Sequence, residues 1–281
     1  MKERTLTSVF LLAVMLALVI FSAHIVYPIG MSVLAVVAVF EMLRVMGAHK
    51  NMSMSIPAYL LAAAFPIGAY FVEEKSVLYL VLTLAAAMFI YLIWLMGVSV
   101  FSRGKVEFSG ASEVFVSTVY VSVAFTSLSL LRYIDRDCGV FAVVLVFVIS
   151  WICDASAFAV GSMMGKRKLI PEISPKKTVE GAVGGVVFST LCSLLYGWGL
   201  DLIVEGIEVN YLVLGLCGAF LAVVSQLGDL VASLLKREYG VKDYGRIFPG
   251  HGGVMDRFDS VIAVATILMI VCLISPPFYL S

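Results

Sequence analysis

Apolar stretches of about twenty residues follow one another along the whole chain, separated by short polar islands. Apolar positions inside them are continuous. They neither alternate, as in a half-buried strand, nor recur every three or four residues above a polar face. Nine such runs fall at 5–23, 25–46, 56–72, 76–101, 114–131, 139–164, 178–199, 209–235 and 258–276. A helix that crosses a bilayer takes about 20 apolar residues, and a backbone in lipid must satisfy its own hydrogen bonds. The pattern therefore predicts an all-α polytopic integral membrane protein of about nine transmembrane helices; a barrel would show alternation. Met1-Lys2-Glu3-Arg4 ahead of the first run looks like the start of a secretory signal. It lacks a small-residue cleavage site and is followed by more spans, so the first run is expected to be retained.

Composition sharpens this picture. Of 281 residues 62% are hydrophobic and 14% charged, against roughly 45–50% and about 25% in soluble domains. Soluble, disordered and collagen-like classes are excluded, and no nucleic-acid partner is expected. The 19 Lys and Arg balance 19 Asp and Glu, but the signs are not evenly spread. With a cytoplasmic N-terminus, sixteen cations lie on the inner side, and only Lys75, Arg132 and Arg136 on the outer. That positive-inside bias supports both the count of nine and the orientation. The inner half then carries an excess of about four positive charges and the outer half about four negative ones. Cys138, Cys153, Cys192, Cys217 and Cys272 form no C-x-x-C pair and are expected to be buried small hydrophobes.

The expected organisation is an N-terminal region of about four helices (1–110), a middle region of about two (111–165), and a C-terminal catalytic region (166–281). Outer connections are brief and acidic, whereas the cytoplasmic stretches 165–181 and 236–259 are dense in Lys, Arg, Asp, Gly and Pro. Function is expected there, facing the cytoplasm from the cell membrane. No internal repeat appears, which weakens an inverted-repeat transporter. The span surfaces are compatible with a homodimer.

Ser225, Asp229, Ser233 and Lys236 stand four, four and three residues apart, on one stripe at the inner end of the eighth run. Ionisable groups inside a span are costly and usually mark a site, although Asp229 paired with a lysine for packing is the alternative. Asp256 and Asp259 share a face at the start of the ninth run, where the helix dipole favours acids. Asp229 with Asp256 makes a carboxylate pair suited to Mg²⁺, which takes one or two carboxylates plus substrate phosphates; the pair implies a polyphosphate substrate. After Asp229 runs a loop with Lys236, Arg237, Lys242, Asp243, Arg246 and Arg257 around His251-Gly252-Gly253, whose glycines free backbone N–H groups to face an anion. Ser174-Pro175 is expected to cap and open the seventh helix, with Lys176, Lys177 and Thr178 in its first turns as a phosphate cradle. The ordinary reading of that segment is a positive-inside flank with Gly181 and Gly185 as a packing motif. Asp154 is expected to line a polar cavity, while Glu41 and Glu113 are expected to be interfacial charges. Gly161 to Arg167 is not a P-loop: it has three residues between its glycines and Arg where Ser or Thr is needed. His24 and His49 have no candidate metal or triad partners.

The segment Ser233-x-x-Lys236-Arg237-x₄-Lys242-Asp243-x-Gly245-x-x-Phe248-Pro249-x-His251-Gly252-Gly253-x-x-Asp256-Arg257-x-Asp259 resembles the signature of the phosphatidate cytidylyltransferases, the CDP-diacylglycerol synthases. Ser174-Pro175-Lys176-Lys177-Thr178-x-Glu180-Gly181 and Asp154-x-x-Ala157-Phe158 resemble further blocks of that family. The resemblance covers about 154–260; the first 150 residues match only as a multi-span region. It implies that CTP and phosphatidate give CDP-diacylglycerol and pyrophosphate with Mg²⁺. It also implies that Asp229 and Asp256 hold the metal and that Lys236, Arg237, Lys242 and Arg257 neutralise phosphates. Ser174, Lys176, Lys177 and Thr178 would hold another phosphate, His251 would hydrogen-bond a phosphate oxygen, and Asp154, Glu180, Ser225, Asp243 and Asp259 would contact substrate or support the ligands. Two rivals stand beside this reading: a secondary transporter for an anionic metabolite, with Asp154 and Asp229 as coupling sites, and a CTP-dependent polyprenol or phytol kinase.

Overall fold

The computed structural model describes residues 13, 15–72, 77–248, 250 and 252–280. Lys2, Arg4, Lys75 and His251, and residues 5–12 and 14 of the first predicted run, lie outside the described residues; residues 15–20 of that run are helical. Eight further helices follow: α1 (Val26–Val45), α2 (Met52–Gly68), α3 (Val77–Phe101), α4 (Phe108–Tyr133), α5 (Gly139–Met164), α6 (Val179–Ile203), α7 (Tyr211–Glu238) and α8 (Met255–Ile274). All eight are long and apolar enough to cross a membrane once α2 is continued by the 3₁₀ turn Ala69–Phe71. The chain is a multi-pass, all-α membrane protein. Three starts lie earlier than predicted, Met52 against 56, Phe108 against 114 and Met255 against 258, because polar first turns such as Ser109, Ser112 and Glu113, or Asp256 and Arg257, sit outside the apolar run yet continue the helical backbone.

One expectation is corrected. Ser174–Thr178 is a strand, β2, paired antiparallel with β1 (Lys168–Ile170) in the register Lys168↔Thr178 and Ile170↔Ser174. Helix α6 begins only at Val179, capped by Thr178, whose Oγ1 accepts the Gly181 N–H at 3.1 Å. Pro175 is exposed on a two-stranded ribbon, a setting in which a missing N–H is tolerated, so Ser-Pro here does not open a helix. A second ribbon, β3 (Ile207–Val209) with β4 (Phe278–Leu280), closes the α6–α7 connection.

The described chain packs as two units. The first comprises residues up to Ile134 together with Val241–Arg257. Within it α1 packs on α2 and α4, and α2 and α3 both pack on α4. Its core holds Met31, Ala35, Val39 and Met42 of α1 against Val121, Phe125 and Leu128 of α4. The Tyr27 hydroxyl donates to the Leu128 carbonyl at 3.2 Å. Most of α3 is turned outward, with Leu78, Leu82, Phe89 and Ile93 exposed as a lipid-facing surface.

The second unit comprises Asp135–Gly240 and the residues from Phe258 onward. Here α5, α6 and α7 pack on one another. Lipid supplies no hydrophobic drive between helices, so close approach through small residues does the work. A Cβ on Gly181 would stand 2.5 Å from the Ala157 carbonyl oxygen, and one on Gly184 would meet Val160 at 2.7 Å. The Ser189 hydroxyl donates to the Ile149 carbonyl at 3.0 Å, and Gln226 Nε2 to that of Ala182 at 3.1 Å. All five cysteines are free thiols.

Candidate active site

In the second unit Asp229 lies on α7 one turn from Ser225 and one from Ser233, as the spacing predicts. Its Oδ2 stands 2.6 Å from Lys177 Nζ of β2, and its Oδ1 accepts the Ser233 hydroxyl at 3.4 Å. Both members of the ion pair are about a quarter exposed, with side-chain accessibilities of 23% and 26%. Helix α8 comes against α7 at a glycine: a Cβ on Gly228 would be 2.7 Å from the Asp259 carbonyl oxygen. That approach puts Asp259 within electrostatic reach of Asp229, Asp154 and Lys236. Asp154 is exposed on α5 and its Oδ2 accepts the Ser260 hydroxyl at 3.0 Å. Asp229, Asp259 and Asp154 thus gather near Lys177 and Lys236, beside a basic ribbon.

The remaining residues of this unit have separate roles. Glu180 accepts the backbone N–H groups of Lys166 at 3.0 Å and Arg167 at 3.2 Å, holding the chain that enters the ribbon. Arg237 is exposed and its Nε donates to the Ile173 carbonyl at 3.4 Å, tying the end of α7 to the β1–β2 turn. Lys176 is exposed and Ser174 partly so. Ser225 is fully buried inside the packed helices.

In the first unit the loop Val241–Val254 is folded around Asp256. The Asp256 Oδ2 accepts the N–H groups of Tyr244 at 2.7 Å, Gly253 at 3.0 Å and Gly245 at 3.4 Å. Phe248 N–H donates to the Gly252 carbonyl at 3.0 Å and closes the tip. Gly252 has φ of 83°, and a Cβ there would lie 2.7 Å from Asp256 Oδ2, so both conformation and space demand glycine. Lys242, Asp243, Arg246 and Arg257 are exposed. Arg44 joins Val45, Val241, Lys242, Asp243, Gly245 and Arg246 around a cavity of about 520 Å³, a cationic recess of a size to take phosphate groups.

Two residues of this loop's support escape the sequence reading. Glu41 is not an interfacial charge: it is 1% exposed, and its Oε2 accepts the Met255 N–H at 2.9 Å. Arg44, otherwise one more inner cation, donates from Nη2 to the Tyr244 carbonyl. The usable signal is a carboxylate inside an apolar run, a costly placement that marks a purpose.

Among the described residues no three of His, Cys, Asp or Glu are grouped so as to hold a metal on their own. Mg²⁺ needs no such cage, since it commonly takes one or two protein carboxylates with water and substrate phosphates. Asp229, a quarter exposed and beside Asp154 and Asp259, offers hard carboxylate oxygens of the kind that ion takes.

The model of the cytidylyltransferase family matches residues 2–275. A phosphatidate cytidylyltransferase of Bacillus subtilis (strain 168) is 35% identical over 273 residues, covering 95% of this chain and 96% of that protein. The enzyme of the same name from Staphylococcus aureus (strain COL) is 35% identical over 283 residues, covering 96% and 98%. That of Staphylococcus epidermidis is 34% identical over 270 residues, again covering 96% and 98%.

Proposed function

The chain belongs to the cytidylyltransferase family and is a nucleotidyltransferase, and from that premise we propose that it moves the CMP unit of CTP onto phosphatidate, forming CDP-diacylglycerol and pyrophosphate. The observation that carries the reading is the Asp229–Lys177 pair at 2.6 Å, set among further carboxylates and at the edge of a basic ribbon. Such a mixture suits a substrate that brings both phosphate charge and a divalent ion.

The chemistry asks little proton work of the protein. A phosphomonoester has its second pKa near 6, so phosphatidate presents a dianionic oxygen at neutral pH. That oxygen attacks the α-phosphorus of CTP, a new P–O bond forms, the bond from the α-phosphorus to the bridging oxygen breaks, and pyrophosphate departs with the electron pair. What remains is alignment and neutralisation of charge. Lys236, Arg237, Lys242 and Arg257 are proposed to neutralise phosphate oxygens. Lys176, Lys177 and the hydroxyls of Ser174 and Thr178 are proposed to receive another phosphate; Thr178 Oγ1 caps α6 by accepting, which leaves its proton to donate. Asp229 and Asp256 are proposed as Mg²⁺ ligands, with Asp154, Glu180, Ser225, Asp243 and Asp259 as support and His251 as a donor to phosphate. When bound, Mg²⁺ supplies charge neutralisation at the triphosphate and the departing pyrophosphate.

The substrates also fit the membrane setting. CTP is water-soluble and the diacyl chains stay in the leaflet, so the proposed site is at the inner headgroup level, with the N-terminus cytoplasmic as the cation distribution indicates. Pyrophosphate release by the purified protein in detergent, with no gradient present, tests the reading. A transporter would release none.

A further inference from the structure

Glu41 and Arg44 stand three residues apart near the inner end of α1, in the half of the chain that carries no motif, and both grip the motif loop. Met255 is the first residue of α8, and its N–H is one of the groups that no turn of its own helix can satisfy. Glu41 supplies the acceptor from 214 residues away and places a carboxylate where the helix dipole favours it. The Val254 backbone also lies against the carboxylate, and Oε1 is packed against the backbone of two glycines. A Cβ built on Gly245 or on Gly253 would occupy the space of the Glu41 carboxylate. The two glycines are a slot, and Glu41 is what fills it. Arg44 meanwhile holds the Tyr244 carbonyl while Asp256 holds the Tyr244 N–H, so the peptide groups on either side of Tyr244 are fixed.

Burying a carboxylate at 1% exposure is costly, and a smaller apolar residue in its place would avoid the cost. We propose that Glu41, backed by Arg44, is a positioning residue for nucleotide binding: by filling the Gly245–Gly253 slot and capping α8 it fixes the backbone that carries Lys242, Arg246 and Asp256. The kinetic consequence rests on the function proposed above; the structural consequence does not.

The full chain in detergent is compared as wild type, E41A, E41Q, G253A and E41A/G253A, with two readouts. Amide hydrogen exchange over residues 241–257, measured without substrate, is expected to rise at least about tenfold in E41A and in G253A and to stay near wild type in E41Q, which keeps an acceptor for Met255. In turnover, E41A and G253A are expected to raise KM for CTP about tenfold with KM for phosphatidate unchanged, because a misplaced loop weakens alignment of one substrate only. Loss of folded protein would instead lower kcat with both KM values constant. The double variant is the sharpest arm: with the slot emptied by E41A, the new methyl at 253 has room, so E41A/G253A is expected to be no worse than E41A alone. Defects of E41A and G253A that simply add, or wild-type exchange in G253A, overturn the proposal. If E41A does not fold, G253A against E41Q still decides it by exchange and KM. If the wild type shows no transfer, the exchange arm alone decides it, and the failure belongs to the functional reading.

Discussion

Lys177 Nζ and Asp229 Oδ2, 2.6 Å apart, join the end of a surface ribbon to the C-terminal part of a membrane helix. The pair gives a carboxylate inside a membrane helix an ionic partner, and in the proposed function a phosphate would take the carboxylate's place beside the ammonium group. Neither residue has the other's function by itself.

Substitution of one partner should therefore cost nearly as much as substitution of both. K177M and D229N are each expected to lower kcat/KM by about 10²-fold or more, the range for loss of a preorganised charge at developing charge. K177M/D229N should fall little below D229N alone, since the residues act as a unit. A double-mutant cycle on turnover measures this, and full additivity would contradict it.

Thr178 caps α6 through the Gly181 N–H. T178V keeps shape but removes the acceptor and is expected to cost about 1 kcal/mol of stability, whereas T178S should stay near wild type. Thermal unfolding in detergent distinguishes them; equal midpoints for T178V and T178S would contradict the cap.

Two glycines of α6 should respond in opposite directions. A methyl at Gly181 would stand 2.5 Å from the Ala157 carbonyl, whereas one at Gly199 would meet nothing within 4 Å. G181A is expected to destabilise by about 1–3 kcal/mol through overpacking. G199A is expected to be neutral or to stabilise by about 0.5–1 kcal/mol, as alanine is the better helix former. Midpoint shifts of the two variants in one detergent compare them directly.

Removal of divalent metal should abolish transfer, and added Mg²⁺ should restore it. D229N and D256N are expected to raise the Mg²⁺ concentration needed for half-maximal turnover as well as lowering the maximum. For D256N exchange over 241–257 should rise too, because Asp256 Oδ2 also accepts three loop N–H groups. An unchanged Mg²⁺ requirement in either variant would remove that residue as a ligand.

The helices and the Ser225–Asp229–Ser233–Lys236 stripe are legible in sequence because run length and helical period are local and rigid. Asp229 stands out for the same reason, as a charge inside an apolar run. The ribbon is not legible: Ser174-Pro175 looks like a helix start, and what makes it a strand is pairing with 168–170, which no local pattern displays. Glu41 is missed on similar grounds. Near the end of a run a carboxylate looks interfacial, and its true partner, the Met255 N–H, lies 214 residues along the chain. Long-range partners of single side chains are where pattern gives out.

The most direct measurement follows two labels into lipid. Purified protein in detergent with Mg²⁺ and phosphatidate is given CTP carrying phosphorus label at either the α or the γ position. The account predicts that the α label enters a lipid with the mass of CDP-diacylglycerol while the γ label leaves as pyrophosphate. Transfer of the γ label to lipid, or no transfer of either, would contradict it.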